Sequence, residues 1–253
     1  MKTVGVIYKK EDQLIAGTAQ QVIKELKSKG YKVSLEKADF VITLGGDGTI
    51  LRAARLLLGK DLPILGVHMG GLGFLSEIDL HNLNDALETV KKGKYSIDAR
   101  SMIEALVSGK KIAALNDIVI GKSGIARVMR IELEGISEFV TDGIIFSSAT
   151  GSTAYNLSAG GPILSPQSKS MIVSAICPHA ISTRPLVLER PVAAIINRGK
   201  ESILTADGQV LIPLHEGQKI RVQPSKQQTK FLRINPYDFF ARIEKAFAFG
   251  ARP

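Results

Sequence analysis

The segment Phe40-Val41-Ile42-Thr43-Leu44 runs without a spacer into Gly45-Gly46-Asp47-Gly48-Thr49. That glycine cluster opens a stretch, Ile50–Leu58, with Leu51, Ala54, Arg55 and Leu58 in helical step. An apolar run so short and continuous reads as a strand buried on both faces, the condition of a parallel sheet covered by helices. The same rhythm continues on either side. Thr3–Tyr8 reads as another buried strand, and Ile15, Ala19, Val22, Ile23 and Leu26 then recur at helical spacing until Gly30 stops them. Tyr31–Leu35 alternates like a strand, Ile64–Val67 is an apolar strand, and Leu83, Leu87 and Val90 mark a helix ending at Gly93. Strand and helix in alternation predict a Rossmann-like α/β domain over residues 1–97.

Beyond Asp98 the texture changes to short runs broken by Gly, Ser, Pro and Asp. Ser101–Val107, Ala114–Ile120, Val128–Leu133, Ile144–Ser148, Val192–Ile196, Ile203–Ala206, Val210–Leu214 and Ile220–Gln223 all read as strands. Strands at such close spacing predict a β-sandwich-like domain over residues 98–235. Asp238–Phe247 turns helical again, with Phe239, Phe240, Ile243 and Phe247 on one face. The fold class expected is therefore α/β: an N-terminal Rossmann-like domain and a C-terminal β-sandwich-like domain, with the final helix, in residues 236–253, returning to complete the first.

Composition narrows the function. In 253 residues, 45% hydrophobic and 23% charged with 24 Gly and 10 Pro, there is core enough to exclude disorder, collagen and low-complexity tails. Cys177 is the single cysteine, so neither an internal disulfide nor a cysteine-based zinc site is available. The four histidines, His68, His81, His179 and His215, lack a metal-binding spacing. The apolar run Val4–Tyr8 is too short for a signal-peptide core and no stretch approaches the roughly 18 apolar residues of a membrane span, so a cytoplasmic protein without a membrane partner is expected. Lys+Arg number 33 against 24 Asp+Glu, a net charge of +9, which favours anionic ligands. The basic run Lys219, Arg221, Lys226, Lys230 and Arg233 contains no acid, but its sparse aromatics point to a solvated strand face rather than a nucleic-acid platform.

The glycine cluster sits where parallel α/β folds bind ligands, at the carboxyl end of a strand and the start of a helix. Its glycines let the backbone approach a phosphate, and the helix turns free N–H groups and the positive end of its dipole toward an anion. It has no lysine, so it is not a Walker A loop, and it lacks the Gly-x-Gly-x-x-Gly spacing of a Rossmann fingerprint. It carries a carboxylate instead. Asp47 could cap the following helix. It could also take a proton from an attacking hydroxyl, or hold a metal ion, beside a transferable phosphoryl group, and the glycines on both sides favour that chemistry.

This loop resembles the Gly-Gly-Asp-Gly-Thr motif of NAD kinases, of diacylglycerol and sphingosine lipid kinases and, more loosely, of phosphofructokinases. Later segments resemble NAD kinases in order: Gly70-Gly71-Leu72-Gly73-Phe74-Leu75, Asn116-Asp117, Thr141-Asp142-Gly143, the run Ala149-Thr150-Gly151-Ser152-Thr153-Ala154-Tyr155-Asn156-Leu157-Ser158-Ala159-Gly160-Gly161-Pro162, then Cys177-Pro178-His179, Arg184-Pro185-Leu186-Val187-Leu188 and Asp207-Gly208-Gln209. The resemblance spans nearly the whole chain. Asp117 stands where many members have Glu.

The resemblance implies a kinase that moves the γ-phosphoryl of ATP, or of polyphosphate, to the 2′-hydroxyl of the adenosine ribose of NAD, with a divalent metal ion such as Mg²⁺. Alternatives are a lipid or sugar kinase of the same superfamily and a non-catalytic NAD-binding sensor. Asp47 is the expected base. Gly46, Gly48 and Thr49 of the loop, with Arg52 on the first helical turns, are expected at the nucleotide phosphates; Arg127 is a weaker candidate of the same kind. Asn116, Asp117, Asp142, Thr150, Thr153, Ala154, Tyr155, Asn156, Leu157, Ser158 and Gln209 are expected to hold the dinucleotide in the domain 98–235. Small residues and hydroxyls suit close approach there, and Tyr155 offers a face for stacking. Phe74 is either core or a ligand contact, and Asn116-Asp117 and Asp142 could each be only turn residues. Direct metal ligands are not assigned, and NAD and ATP, not nucleic acid, are the expected small-molecule partners. The family implies a homodimer or homotetramer.

Overall fold

A computed structural model describes residues 2–71, 73–124, 128–199 and 201–247. It divides into two units, residues 1–99 with 229–253 and residues 100–228.

In the first unit β1 (Thr3–Tyr8), α1 (Gln13–Ser28), β2 (Lys32–Val33), β3 (Phe40–Leu44), α2 (Asp47–Leu56), β4 (Ile64–His68), β5 (Ile78–Asp79) and α3 (Leu83–Lys91) follow one another. The strands lie in the order β2-β1-β3-β4, every pair parallel. All residues of β3 are buried, as a central parallel strand between helices requires. Asp12 starts α1 by accepting the Ile15 N–H at 3.1 Å, and the helix then buries Ala19, Val22 and Leu26 against the sheet. Val22 and Leu26 each contribute about 1.5–3 kcal/mol on burial. The expected strand Tyr31–Leu35 shrinks to Lys32–Val33, because at the sheet edge it has only Thr3 and Val4 to pair with, and Leu35 is left exposed.

The second unit is a sandwich. The chain continues as β6 (Ser96–Val107), β7 (Lys110–Ala114), β8 (Asp117–Lys122), β9 (Met129–Leu133), β10 (Ser137–Thr141), β11 (Gly143–Ser147), a 3₁₀ turn at Thr150–Thr153, α4 (Tyr155–Ser158), β12 (Met171–Ile176), β13 (Leu186–Leu188), β14 (Val192–Arg198), β15 (Ser202–Ala206), β16 (Val210–Leu214), β17 (Lys219–Arg233) and α5 (Phe239–Phe247). One antiparallel sheet has the order β13-β12-β11-β8-β15-β16; the other contains β10-β9-β14 and the first part of β17. Ile118, Ile120, Ile144 and Phe146 from the first sheet share one core with Ile131, Leu133, Ala194 and Ile220 from the second. The expected strand Ala114–Ile120 breaks into β7 and β8. At Leu115 and Asn116 the backbone N–H groups turn to the Asp207 carboxylate rather than to a neighbouring strand.

Strand β17 runs from Lys219 to Arg233, far beyond the expected Ile220–Gln223, and its end pairs parallel with β4. Lys219 and Arg221 are exposed while Ile220 and Val222 are buried, the alternation expected of a strand face. Arg233 does not belong to that solvated face. It is 2% exposed and ion-paired with Glu77 at 3.1 Å and Asp98 at 3.1 Å, because a buried guanidinium needs carboxylates around it. Helix α5 then returns to the first unit and buries Ile243. Among the described residues no helix is long and apolar enough to cross a membrane.

Candidate active site

Strand β3 ends at Leu44 and the chain turns through Gly45 and Gly46 into α2, whose first residue is Asp47. The Asp47 side chain does not cap its own helix; Gly46 occupies the cap position. The carboxylate reaches instead to the loop after β4, where the Phe74 N–H donates to Oδ2 at 2.9 Å and the Leu75 N–H to Oδ1 at 3.3 Å. Gly73 makes this approach possible: a Cβ there would stand 2.2 Å from Asp47 Oδ1. Burial pushes the Asp47 carboxyl above the ordinary aspartate value; the amides of Leu75, Phe74 and Ser76, then the Arg242 guanidinium, oppose that rise without cancelling it. The result is an oriented carboxylate of increased basicity at a helix N-terminus. Gly46 and Gly48 beside it are open to solvent, and Thr49 is half-buried, its N–H donating to the Gly46 carbonyl at 2.9 Å.

Arg52, one turn further along α2, is partly exposed and lies 4.0 Å from Glu11, a contact of little strength at that exposure. The Phe74 ring stacks on Phe247 at 5.4 Å between centroids, so this aromatic packs against α5 while its main chain serves Asp47.

In the second unit the structure brings together Asn116, Asp117, the Thr150–Ser158 segment and Asp207. Asp207, with a φ of 51°, places its carboxylate under the turn between β7 and β8 and accepts the N–H groups of Leu115 at 3.0 Å, Asn116 at 2.7 Å and Asp117 at 3.2 Å. It is the organising residue of the cluster. The Asp-Gly-Gln match drew attention to Gln209, which is exposed, rather than to Asp207; only a carboxylate with no sequence neighbour to satisfy could have pointed to it. Asp117 is 7% exposed, and burial first, then the nearby Asp207 carboxylate, pushes its carboxyl up to about 7. The three amides hold the Asp207 carboxylate in place beneath the turn.

The Thr150–Thr153 turn packs directly on this strand junction. Gly151 has no room for a side chain, because a Cβ would meet the Asn116 carbonyl oxygen at 2.1 Å, and the Ser148 N–H donates to that same oxygen at 2.8 Å. Thr150 is buried and, among the described residues, its hydroxyl has no hydrogen-bond partner, and Thr153 donates its hydroxyl to the Thr150 carbonyl at 3.4 Å. Asn156 is fully buried: its amide donates to the Ser152 and Pro162 carbonyls at 3.2 and 3.1 Å and accepts from the Ser174 hydroxyl at 2.8 Å. Around it Ala154 and Leu157 are half-buried, whereas Tyr155 and Ser158 face solvent.

Asp142 is not brought to this cluster. It precedes β11 while the Thr150 turn follows it, roughly 14 Å along the strand at ~3.4 Å per residue, and its carboxylate is ion-paired with Lys122 at 2.8 Å. Arg127 lies outside the described residues. Among the described residues no group of three His, Cys, Asp or Glu side chains is arranged to hold a metal ion.

The ATP-NAD kinase N-terminal domain model matches residues 7–95 and the ATP-NAD kinase C-terminal domain model residues 115–234. The chain belongs to the NAD kinase family. The NAD kinase of Syntrophotalea carbinolica is 35% identical, with 100% of both chains covered. That of Moorella thermoacetica is 37% identical over 99% of this chain and 90% of its own. Among solved structures, an NAD kinase from Archaeoglobus fulgidus in complex with ATP superimposes with a TM-score of 0.77 at 26% identity, covering 97% of each chain. Yeast NADH kinase complexed with NADH shares the fold, with a TM-score of 0.88 at 22% identity over 100% of this chain and 89% of its own. This member of the NAD kinase family thus carries the acidic glycine loop in its N-terminal domain and the asparagine–aspartate cluster in its C-terminal domain.

Proposed function

We propose that this enzyme transfers the γ-phosphoryl group of ATP to the 2′-hydroxyl of the adenosine ribose of NAD, giving NADP and ADP. The observation that carries the mechanism is the Asp47 carboxylate, oriented by two amides and raised in basicity by burial. Each carboxylate oxygen retains a lone pair after accepting its amide bond. Asp47 accepts the proton of the 2′-hydroxyl as the ribose oxygen forms its bond to the γ-phosphorus and the bond to the β-phosphate oxygen breaks. The first turn of α2, from Gly46 through Gly48 and Thr49, turns the positive end of the helix dipole toward the phosphates, and Arg52 adds a cation on the same helix.

A magnesium ion would arrive on the phosphate oxygens of ATP, since Mg²⁺ keeps several waters and is bound largely through substrate phosphates rather than by a full protein cage. Such an ion offsets the charge of the phosphates when bound.

The dinucleotide is assigned to Asn116, Asp117, Thr150, Thr153 and Tyr155. A protonated Asp117 can donate a hydrogen bond as well as accept one, the buried Thr150 hydroxyl is without a partner among the described residues, and the exposed Tyr155 ring can stack. Asn156 fixes the shape of the segment from inside, and Ala154, Leu157 and Ser158 follow it. A cytoplasmic homo-oligomer is the assembly that family membership favours. Asp47→Asn tests the mechanism: loss of a positioned base lowers kcat roughly 10²–10⁴-fold, with NAD binding retained by calorimetry. Wild-type turnover in the folded variant removes Asp47 from the role.

A further inference from the structure

Four consecutive peptide carbonyls behind the Asp47 cradle are taken by the C-terminal segment. Arg242 Nη1 donates to the Gly73 oxygen at 2.8 Å and to the Ser76 oxygen at 2.9 Å. The Tyr237 hydroxyl donates to the Phe74 oxygen at 3.1 Å, and Arg233 Nη1 to the Leu75 oxygen at 3.0 Å. The amide edge of the same stretch serves Asp47. A peptide group whose carbonyl accepts from a cation is a stronger donor at its N–H, because hydrogen bonds in a chain polarise one another.

The donors are fixed in turn. Two guanidiniums lie over the Tyr237 ring, Arg233 at 4.4 Å and Arg242 at 4.8 Å from its centroid. Arg233 is anchored by Glu77 and Asp98, and the second Glu77 oxygen accepts the N–H groups of Ile234 and Asn235, each at 3.0 Å. Helix α5 has apolar anchors in Ile243 and in the Phe74–Phe247 stack, so a guanidinium committed to loop carbonyls does more than attach the helix.

We propose that Arg242 is a positioning residue for phosphoryl transfer: by gripping the Gly73 and Ser76 carbonyls it aims the Phe74 and Leu75 amides at Asp47 and so keeps that carboxylate directed at the ribose hydroxyl. The inference rests on the reading of Asp47 as the base. Among the described residues of the unit, the Arg242 guanidinium is the cation that favours the ionised Asp47, against the rise that burial causes. Removing Arg242 therefore withdraws a charge that favours the ionised base and loosens the amides that favour it too.

The test is steady-state kinetics of the full chain across pH for Arg242→Ala, Arg242→Lys and Tyr237→Phe, with Asp47→Asn alongside. Arg242→Ala is expected to lower kcat on the order of 10–100-fold, the cost of a small misplacement near the chemistry, with KM for NAD and ATP within about twofold and the acidic limb of kcat/KM moved to higher pH. Arg242→Lys recovers part of kcat, because one ammonium serves one carbonyl well. Tyr237→Phe keeps the ring, loses the bond to the Phe74 carbonyl, and shifts the limb the same way by less. If Arg242→Ala does not fold, Arg242→Lys decides, with a lowered kcat and a limb moved to higher pH expected and wild-type values overturning the role. Wild-type kcat and an unmoved limb in the folded variants, with Asp47→Asn inactive, overturn the role of Arg242 and leave Asp47 as the base. A loss of melting temperature with an unmoved limb overturns it as well. Activity in Asp47→Asn overturns both readings.

Discussion

Asp47 and Asp117 are both carboxylates raised by burial, and their surroundings give them different work. Asp47 is met by amides and a guanidinium, so it stays oriented and ready to accept a proton; Asp117 faces another carboxylate and holds its proton up to about 7. A folded value above the unfolded one means that the contribution of Asp117 to stability is full below about 4 and is lost as pH rises through about 7. The melting temperature of the wild type should therefore fall between pH 5 and pH 8 by more than that of Asp117→Asn; equal slopes would show that Asp117 is ionised throughout. Gly73 is the third decisive residue. Gly73→Ala puts a methyl group against the Asp47 carboxylate, and a misplacement of that kind is expected to cost kcat on the order of 10²-fold with a near-normal melting temperature.

At the scale of elements, local pattern was informative wherever one strand or helix could be read from its own residues. Thr3–Tyr8 and Phe40–Leu44 are strands over those very residues, because apolar continuity decides a buried parallel strand. The Ala114–Ile120 break was not legible, since the carboxylate that makes it is supplied by Asp207, far along the chain. Nor was the length of β17, whose polar end Lys226–Arg233 finds partners only in the fold. Ser137–Thr141, Met171–Ile176 and Leu186–Leu188 are strands that carried no expectation, set by register against Met129–Leu133, Gly143–Ser147 and Met171–Ile176 in turn rather than by their own spacing. Helix α1 offers a local check independent of the chemistry. Asp12→Ala removes its cap and should cost about 1 kcal/mol, a fall of about 2–4 °C in a chain of this size, with kcat unchanged; a fall in kcat would tie α1 to the site.

At the scale of the molecule, the sequence announced a glycine loop with a carboxylate and a second cluster of small polar residues, and the proposed reaction draws on both. What sequence could not supply is the wiring behind each: the C-terminal segment that takes the carbonyls of Gly73–Ser76, and Asp207 beneath Asn116-Asp117. The net charge of +9 acts on the whole encounter with anionic substrates. Raising ionic strength from about 0.05 to about 0.5 M shortens the Debye length severalfold, so KM for ATP should rise several-fold while kcat holds; a flat KM would assign the charge to solubility alone. The central claim is tested by incubating the purified chain with NAD, ATP and Mg²⁺ and measuring NADP by its absorbance after enzymatic reduction, wild type beside Asp47→Asn. NADP forming with the wild type and falling at least 10²-fold with the variant is the predicted result, and a folded wild type that binds NAD yet forms no NADP, or an Asp47→Asn variant as active as the wild type, would contradict it.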